Sequence, residues 1–304
     1  MTYEHIFNEL DITVDPFALC ELRGECNLGL GYEPRATLHY VLSGRGEILV
    51  RGRKPVQVAR GSIVLIPALQ NHSLRSFGDD FDPLPTCRPA ELDLARLLKT
   101  SENAPNGQLA ALCTNVTIGL RGVKDVVDLV REPMVECVSR GSRMEQPLMR
   151  LIEEVSQPRL GSRAMVRAIL LECVIDMLRS RLTAQDQALA WMAALKDPSV
   201  WQALRVMLDD PGKSHSVDSL AHVVGMSRSA FAKRFSEAYG SGPMELLRDL
   251  RMRMAGTLLK ETELPVKRVA DMVGFSSRSA FSRMFEAKTG QSPRSFRSSS
   301  RLAE

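Results

Sequence analysis

Several classes of protein are excluded by what the chain lacks. Within its 304 residues, apolar stretches such as Ile63 to Leu69 and Ile169 to Ile175 fall far short of the roughly 20 residues that a membrane-spanning helix needs. The start, MTYEHIFNEL, has no basic segment followed by an apolar run, so no export signal is expected and a cytoplasmic location is. Six cysteines, at positions 20, 26, 87, 113, 137 and 173, are too sparse for a disulfide scaffold and form no C-x-x-C pair. Neither a secreted staple pattern nor a zinc ribbon is therefore indicated. No P-loop, GxGxxG or Ser-His-Asp constellation is present, and the chain is expected not to be an enzyme. What remains is an ordinary globular composition, 44% hydrophobic and 25% charged, with room for two domains.

The net charge of +4 is unevenly placed. Residues 200–304 hold 17 Lys and Arg against 11 Asp and Glu, a net of +6, which leaves 23 basic and 25 acidic residues in the preceding 199, a net of −2. That asymmetry points to a polyanion as the partner of the C-terminal third.

The same third repeats itself. Ser227-Arg228-Ser229-Ala230-Phe231 recurs fifty residues later as Ser277-Arg278-Ser279-Ala280-Phe281, and the match continues through Phe235 with Phe285, Gly240 with Gly290 and Pro243 with Pro293. Upstream the offset is 49, pairing Val217, Leu220, Ala221, Val224 and Gly225 with Val266, Val269, Ala270, Val273 and Gly274. Each copy reads as a helix with apolar positions at i, i+3, i+4 and i+7, a glycine stop, and a second helix capped by serine (Ser227; Ser276 or Ser277) with two phenylalanines four apart. Ser216 can cap the first helix of the first copy, and Pro265 suits the first turn of its counterpart. A small residue four before the glycine lets the helices cross closely. Met244 to Glu261 reads as a connecting helix of about 18 residues, roughly 27 Å long. That length can set two units about 34 Å apart, one turn of B-DNA.

These residues resemble the DNA-binding domain of the AraC/XylS family of bacterial transcription regulators, over residues from about 199 to 298, ending in the G-x-x-P segment Gly290 to Pro293. The resemblance implies double-stranded promoter DNA and RNA polymerase as partners, activation as the commoner mode of action, and two helix-turn-helix units at about 216–240 and 265–290. Because Phe231 and Phe235 must face the core, Arg228, Ser229, Ala232 and Lys233 lie on the outward arc, and the family places base contacts at Ser229, Ala232 and Lys233. The corresponding residues of the second unit are Arg278, Ser279, Ser282 and Arg283, of which arginine can hold guanine bidentately. The phenylalanines, Phe275 included, are expected in the core. Arg248, Arg251, Arg268 and Arg294 are candidates for phosphate contacts.

Residues 10–78 instead show short β-rich segments, Thr37–Leu42, Gly46–Arg51, Val56–Ala59 and Ser62–Ile66, separated by Gly or Pro turns at 43–46, 54–55 and 60–61. Gly61, Pro67 and His72 follow a G-x5-P-x4-H pattern preceded by His39 and Gly44; with the start Asp15-Pro16-Phe17, this resembles the cupin-type ligand domain of one branch of the same family. His39 and His72 are candidate ligand-binding residues. A metal site would need them to meet Cys20, Cys26 or Glu33, but two histidines fall short of a full ligand set and Val41 stands where a further cupin histidine would be. No metal and no cofactor are therefore expected. Cys20 and Cys87 are the candidate redox thiols, with Arg88 beside Cys87 lowering its thiol pKa, while Cys113, Cys137 and Cys173 read as inert core. Cys20 and Cys26 read as lying before the first clear strand.

Residues 79–108 read as a Pro-rich excursion with one short helix at Glu91–Leu98, and Ala111–Leu120 as a returning strand. From Met144 the spacing is helical (Leu148, Leu151, Ile152, Val155; then Met165, Ile169, Leu170, Val174, Met177, Leu178), interrupted at Gly161-Ser162 and ending at Asp197-Pro198. In similar proteins such helices cover the barrel and often pair two subunits; packing within one chain is the alternative.

The expected fold is therefore α+β and multidomain: a cupin-like β-barrel with sensory role (1–143), a helical dimerisation or connecting region (144–198) and an all-α double helix-turn-helix (199–304). The expected function is a DNA-binding transcription regulator, an activator and homodimer as the resemblance implies, that answers a small-molecule effector or a redox signal. The alternatives are a metal-dependent cupin enzyme fused to a DNA-binding module, and a regulator whose N-terminal part only dimerises.

Overall fold

The computed structural model describes residues 3–14, 18–31, 33–78, 84–89, 108–120, 123, 126, 129–138, 141–183 and 190–301. Two compact units interleave along the sequence: Ile12–Thr117 with Glu132–Gln185, and Met1–Asp11 with Ile118–Arg131 and Asp186–Glu304. The chain opens with a short helix, α1 (Tyr3–Asn8), and then runs into strands.

The strands are β1 (Leu10–Val14), β2 (Ala18–Arg23), β3 (Cys26–Gly31), β4 (Ala36–Val50), β5 (Val56–Ala59), β6 (Ser62–Ile66), β7 (His72–Ser76), β8 (Leu84–Pro89), β9 (Gln108–Leu120) and β10 (Met134–Cys137). They form a curled antiparallel sheet in the order β10-β6-β4-β9-β2-β8, with β1 against β9, β5 and β7 against β4, and β3 against β7. The 15-residue β4 turns this sheet into two layers. Its first part pairs with β6 and β9, and its second part, from Arg45 and Gly46 onward, pairs with β5 and β7. The turn expected at 43–46 is therefore a bend inside one continuous strand, with a register shift between Val41 and Ser43. Gly44 makes the bend possible: its φ is +78°, and a Cβ there would stand 1.6 Å from the Gln108 carbonyl oxygen.

Other expectations for this region need correction. Cys20 and Cys26 lie within β2 and β3, not ahead of the strands. The excursion expected over 79–108 contains a strand, β8, whose cross-strand partner is β2. The helix expected at Glu91–Leu98 and the Asp15-Pro16-Phe17 start lie outside the described residues.

Alternation along the strands sorts the core. Cys20, Leu22, Val41, Ile48, Val50, Val64, Ile66, Leu74, Leu109, Ala111 and Cys113 share one buried cluster between the layers. Ile63 and Leu65, at the alternate positions of β6, are also fully buried, and Tyr40, one residue from His39, lies near Cys173. Cys173 belongs to α3 (Ser162–Thr183), which packs against α2 (Glu145–Ser156). The expected apolar stripe is largely buried in this unit, as Leu151, Ile169, Leu170, Val174, Met177 and Leu178 show, while Met149, Leu160 and Met165 stay exposed.

The other unit is helical: α4 (Ala190–Lys196), α5 (Pro198–Asp209), α6 (Val217–Val223), α7 (Arg228–Tyr239), α8 (Pro243–Glu261), α9 (Val266–Met272), α10 (Arg278–Thr289) and α11 (Pro293–Arg301). Asp197 caps α5, accepting from the Ser199 and Val200 amides, with Pro198 in the first turn. Pro265 occupies the N-cap of α9, one residue ahead of the position expected. The segment Ile118–Arg131 also belongs here: Leu129 accepts a hydrogen bond from Tyr239 Oη at 3.1 Å, Arg253 donates to the Val130 carbonyl, and Arg131 pairs with Glu245.

The duplicated turn glycines permit a controlled comparison. Both have positive φ, +66° at Gly225 and +79° at Gly274, but only at Gly274 would a Cβ strike backbone, 2.5 Å from the Gly212 carbonyl oxygen. Gly225→Ala should cost about 1–2 kcal/mol for the left-handed backbone alone. Gly274→Ala should cost more; urea denaturation of the two variants checks the order, and equal losses would contradict the close packing at Gly274.

Candidate functional site

In each helix-turn-helix unit the sequence sets its own boundaries. Ser216 caps α6 through reciprocal bonds with Ser219. The turn closes on one hydrogen bond found in both copies: Met226 N to Ala221 O, and Phe275 N to Ala270 O, each 2.9 Å. Ser227 and Ser277 then cap α7 and α10, their hydroxyls accepting from the Ala230 and Ala280 amides at 3.3 Å. Ala221 and Ala270 are buried where the helices cross.

The inner faces of the two second helices are aromatic. Phe231, Phe235 and Tyr239 stack along α7 with ring centroids 5.7 and 5.8 Å apart. On α10, Phe281 and Phe285 stand 5.6 Å apart and Phe285 meets Phe296 edge-on at 5.2 Å. Phe231, Phe235, Phe281 and Phe285 are fully buried, and Phe275 is partly so. With that face fixed, Arg228, Ser229, Lys233, Arg278, Ser279 and Arg283 are exposed on the opposite arc, and Ala232 and Ser282 are half-buried beside them. Arg228 is paired with Asp218 at 3.2 Å and Lys233 stands 3.9 Å from Glu237, both exposed pairs that contribute little and leave the two cations accessible. Between the units runs the 19-residue α8, about 28 Å long.

Of the four candidate phosphate residues, Arg248, Arg268 and Arg294 are exposed. Arg251 has a structural task instead, donating to the Pro211 and Lys213 carbonyls at 2.9 Å each. Sequence reasoning missed Asp197 and Arg234: the Arg234 guanidinium holds the Asp197 carboxylate at 2.6 Å and so fixes α7 against the start of α5. Partial burial would raise the Asp197 pKa, but the hydrogen bond from Arg234 and the capped amides outweigh it and hold the carboxyl low.

The β unit brings His39 and His72 together, their Nε2 atoms 2.8 Å apart in the space between the sheet layers. His39 lies directly opposite Cys113 on β9, and its Nδ1 is 3.1 Å from the Cys113 sulfur. Cys113 in turn stands 3.0 Å from the Cys20 sulfur, and His72 Nδ1 is 3.0 Å from the Gln70 carbonyl oxygen. Every member is buried. Donor and acceptor counting orients the chain. His72 Nδ1 must donate to the Gln70 carbonyl, so its Nε2 accepts from His39 Nε2–H. His39 Nδ1 is then free to accept the Cys113 S–H, a proton for which the Cys20 sulfur, 3.0 Å away, is the other acceptor.

Cys113, read from sequence as inert core, is thus the central member. Cys137, read likewise, is exposed near the end of the edge strand β10, whereas Cys173 is buried as expected. Cys26 lies elsewhere, its sulfur 3.3 Å from Ser76 Oγ, and Glu33 uses its backbone carbonyl to hold Leu69 N. Cys87 is the direct cross-strand partner of Cys20 in the β2–β8 pair. The two nitrogens of His39 thus face His72 and Cys113 in turn. Among the described residues no group of three or more His, Cys, Asp or Glu side chains is placed to hold a metal ion.

Residues 4–183 match the family described as Cupin, and residues 220–299 the one described as Helix-turn-helix domain. The chain is 36% identical over 126 residues to the HTH-type transcriptional regulator AlkR of Acinetobacter baylyi, which covers 41% of each chain. It is 24% identical over 267 residues to the HTH-type transcriptional regulator MtrA of Neisseria gonorrhoeae, 86% of this chain and 85% of that one. The AlkR match therefore spans less than half of that relative's length. The fold is similar to that of ToxT from Vibrio cholerae, with a TM-score of 0.51 at 12% identity over 95% of both chains. The chain belongs to the AraC family of DNA-binding transcriptional regulators, in the branch with an N-terminal cupin domain. No helix among the described residues is long and apolar enough to cross a membrane.

Two predictions follow from these groups. Asp197→Ala removes an N-cap and should cost about 1 kcal/mol. Because the Asp197 carboxyl is held low in the folded state, its contribution is complete above the unfolded value near about pH 3.9 and is lost as pH falls through the folded value; acid titration of the variant should show that component missing. Burial, reinforced by His72, holds His39 well below the ordinary imidazole range, and burial lowers His72 against the opposing Gln70 bond. The unfolded chain takes up these protons near about pH 6.5 and the folded one does not, so stability is full above that pH and falls below it by up to about 1.4 kcal/mol per pH unit for each histidine. Urea midpoints that stay constant from pH 7 to pH 5 would contradict a buried neutral pair.

Proposed function

We propose that the chain is a sequence-specific activator that binds promoter DNA as a homodimer, contacts RNA polymerase there, and answers a small-molecule or redox signal received by its cupin domain. It acts in the cytoplasm, where the promoter is, and performs no catalysis. The observation that carries this reading is the pair of exposed arcs at the starts of α7 and α10, mounted alike on buried phenylalanines and joined by α8. Arg228, Ser229, Ala232 and Lys233 read one major-groove segment, and Arg278, Ser279, Ser282 and Arg283 the next. Ala232 offers only a methyl group, suited to a thymine methyl; Arg278 and Arg283 can each hold a guanine. Arg248, Arg268 and Arg294 serve phosphates.

Dimerisation is supported by the exposed apolar residues Met149, Leu160 and Met165 along α2, α3 and their connection. The signal-receiving role is supported by the buried polar chain from Cys20 to His72, an expensive feature for a domain that serves only as a scaffold.

Footprinting of the full chain on promoter fragments selected from genomic DNA tests the reading. Discrete protected sites are expected. Arg283→Ala should weaken binding by about 1–3 kcal/mol and relax preference at one base pair, whereas Arg294→Ala should weaken all sequences alike and reduce the salt dependence. Uniform, sequence-independent binding by the unaltered protein would overturn the assignment.

A further inference from the structure

We propose that Cys113 and Cys20 form a redox dithiol, with Cys113 the reacting thiol, His39 its base and Cys20 the resolving thiol, and that a small hydroperoxide closes them to a disulfide. This rests on the reading of the cupin domain as a signal receiver and names the group that receives.

The geometry separates the two thiols by role. Cys113 Sγ faces His39 Nδ1 at 3.1 Å and Cys20 Sγ at 3.0 Å, so a base and a second thiol meet at one sulfur. Cys20 is in a different position, on the neighbouring strand β2, where its sulfur accepts from Cys113. The imidazole pair works as a relay. As His39 Nδ1 takes the Cys113 proton, its Nε2 proton can pass 2.8 Å to His72, whose Nδ1–H is already bonded to the Gln70 carbonyl. The second ring holds that proton only in passing, beside the Gln70 carbonyl, because burial keeps both imidazoles neutral at rest. The thiolate, not the thiol, is the nucleophile.

The step balances. The Cys113 thiolate attacks one oxygen of H–O–O–H; the O–O bond breaks, giving Cys113 sulfenic acid and hydroxide, and hydroxide takes the proton held by the histidine pair to become water. Cys20 sulfur then attacks the sulfenic sulfur; the S–O bond breaks and the departing hydroxyl leaves as water with the Cys20 proton. Two thiols are oxidised by two electrons and one peroxide is reduced to two waters. Cys20 is 0% and Cys113 6% exposed, so the oxidant must be small and uncharged.

The test begins with the unaltered full-length protein, which avoids dependence on any variant's folding. After stoichiometric hydrogen peroxide and blocking of remaining thiols, peptide mapping under non-reducing conditions should recover a Cys20–Cys113 cross-link. A Cys20–Cys87 cross-link in its place, or loss of no thiol beyond the exposed Cys137, would overturn the proposal. Cys20→Ser should leave Cys113 trapped as a sulfenic acid that a cyclic dione labels; labelling elsewhere with Cys113 intact would also overturn it. His39→Gln, confirmed folded by its thermal melt, should slow oxidation by about tenfold or more, and an unchanged rate would remove His39 from its assigned role as base and so overturn the scheme. Footprints taken on the same oxidised sample separate this inference from the broader one. A Cys20–Cys113 bond with unchanged DNA occupancy upholds the dithiol and rejects the redox signal as the regulator of DNA binding.

Discussion

The close approach of β4 to β9 at Gly44 governs the fold of the β unit. Only a residue without a Cβ fits against the Gln108 carbonyl at that point, where a single strand leaves one sheet layer and enters the other. The register on either side of the bend decides what the interior contains. On one side His39 is set opposite Cys113; on the other, β7 is carried in against Val50 so that His72 can reach across. The buried polar chain is thus a product of strand register, and a slip of one residue would turn each of its members to the other face of the sheet.

The DNA-reading unit shows a different kind of constraint. Its two copies share a turn hydrogen bond, a serine cap and an aromatic inner face, yet they are supported differently. The first copy is fixed to α5 through Asp197 and Arg234, and the second is packed against Gly212 and Arg251. Most of this unit was legible in the sequence because its signals are local: caps, glycines and apolar residues within one or two helical turns. The positions missed there, such as Asp197 with Arg234, join residues 37 apart in sequence, a separation that periodicity does not report.

The β unit was legible only in outline. Alternation and turn residues disclosed strands at Val56–Ala59 and Ser62–Ile66, and the spacing of His39 and His72 pointed to one site. The central partner, Cys113, stayed hidden because its role depends on pairing across 74 residues. Reading it as core was correct about burial and wrong about company. Cys137 failed for the opposite reason: its apolar neighbours, Val135 and Val138, suggested an interior, whereas an edge strand exposes its last residues. The bend at Gly44 looked like a turn because glycine in a strand and glycine in a turn leave the same mark in sequence.

The interleaving of the two compact units bears on how the chain is made. Neither unit is a continuous stretch: the one that reads DNA includes Met1–Asp11 and Ile118–Arg131, and the β unit needs Glu132–Gln185. On the ribosome, residues that emerge first must wait for residues that emerge last, since Leu129 and Val130 find Tyr239 and Arg253 only after more than a hundred further residues. The β unit is complete once Gln185 has emerged, whereas the DNA-reading unit must hold its first segments open until the last helices are made. A truncation that removes everything before the helix-turn-helix units also removes Ile118–Arg131 and leaves its seat on α7 and α8 bare, so a fragment of that kind is a different folding problem from the intact protein.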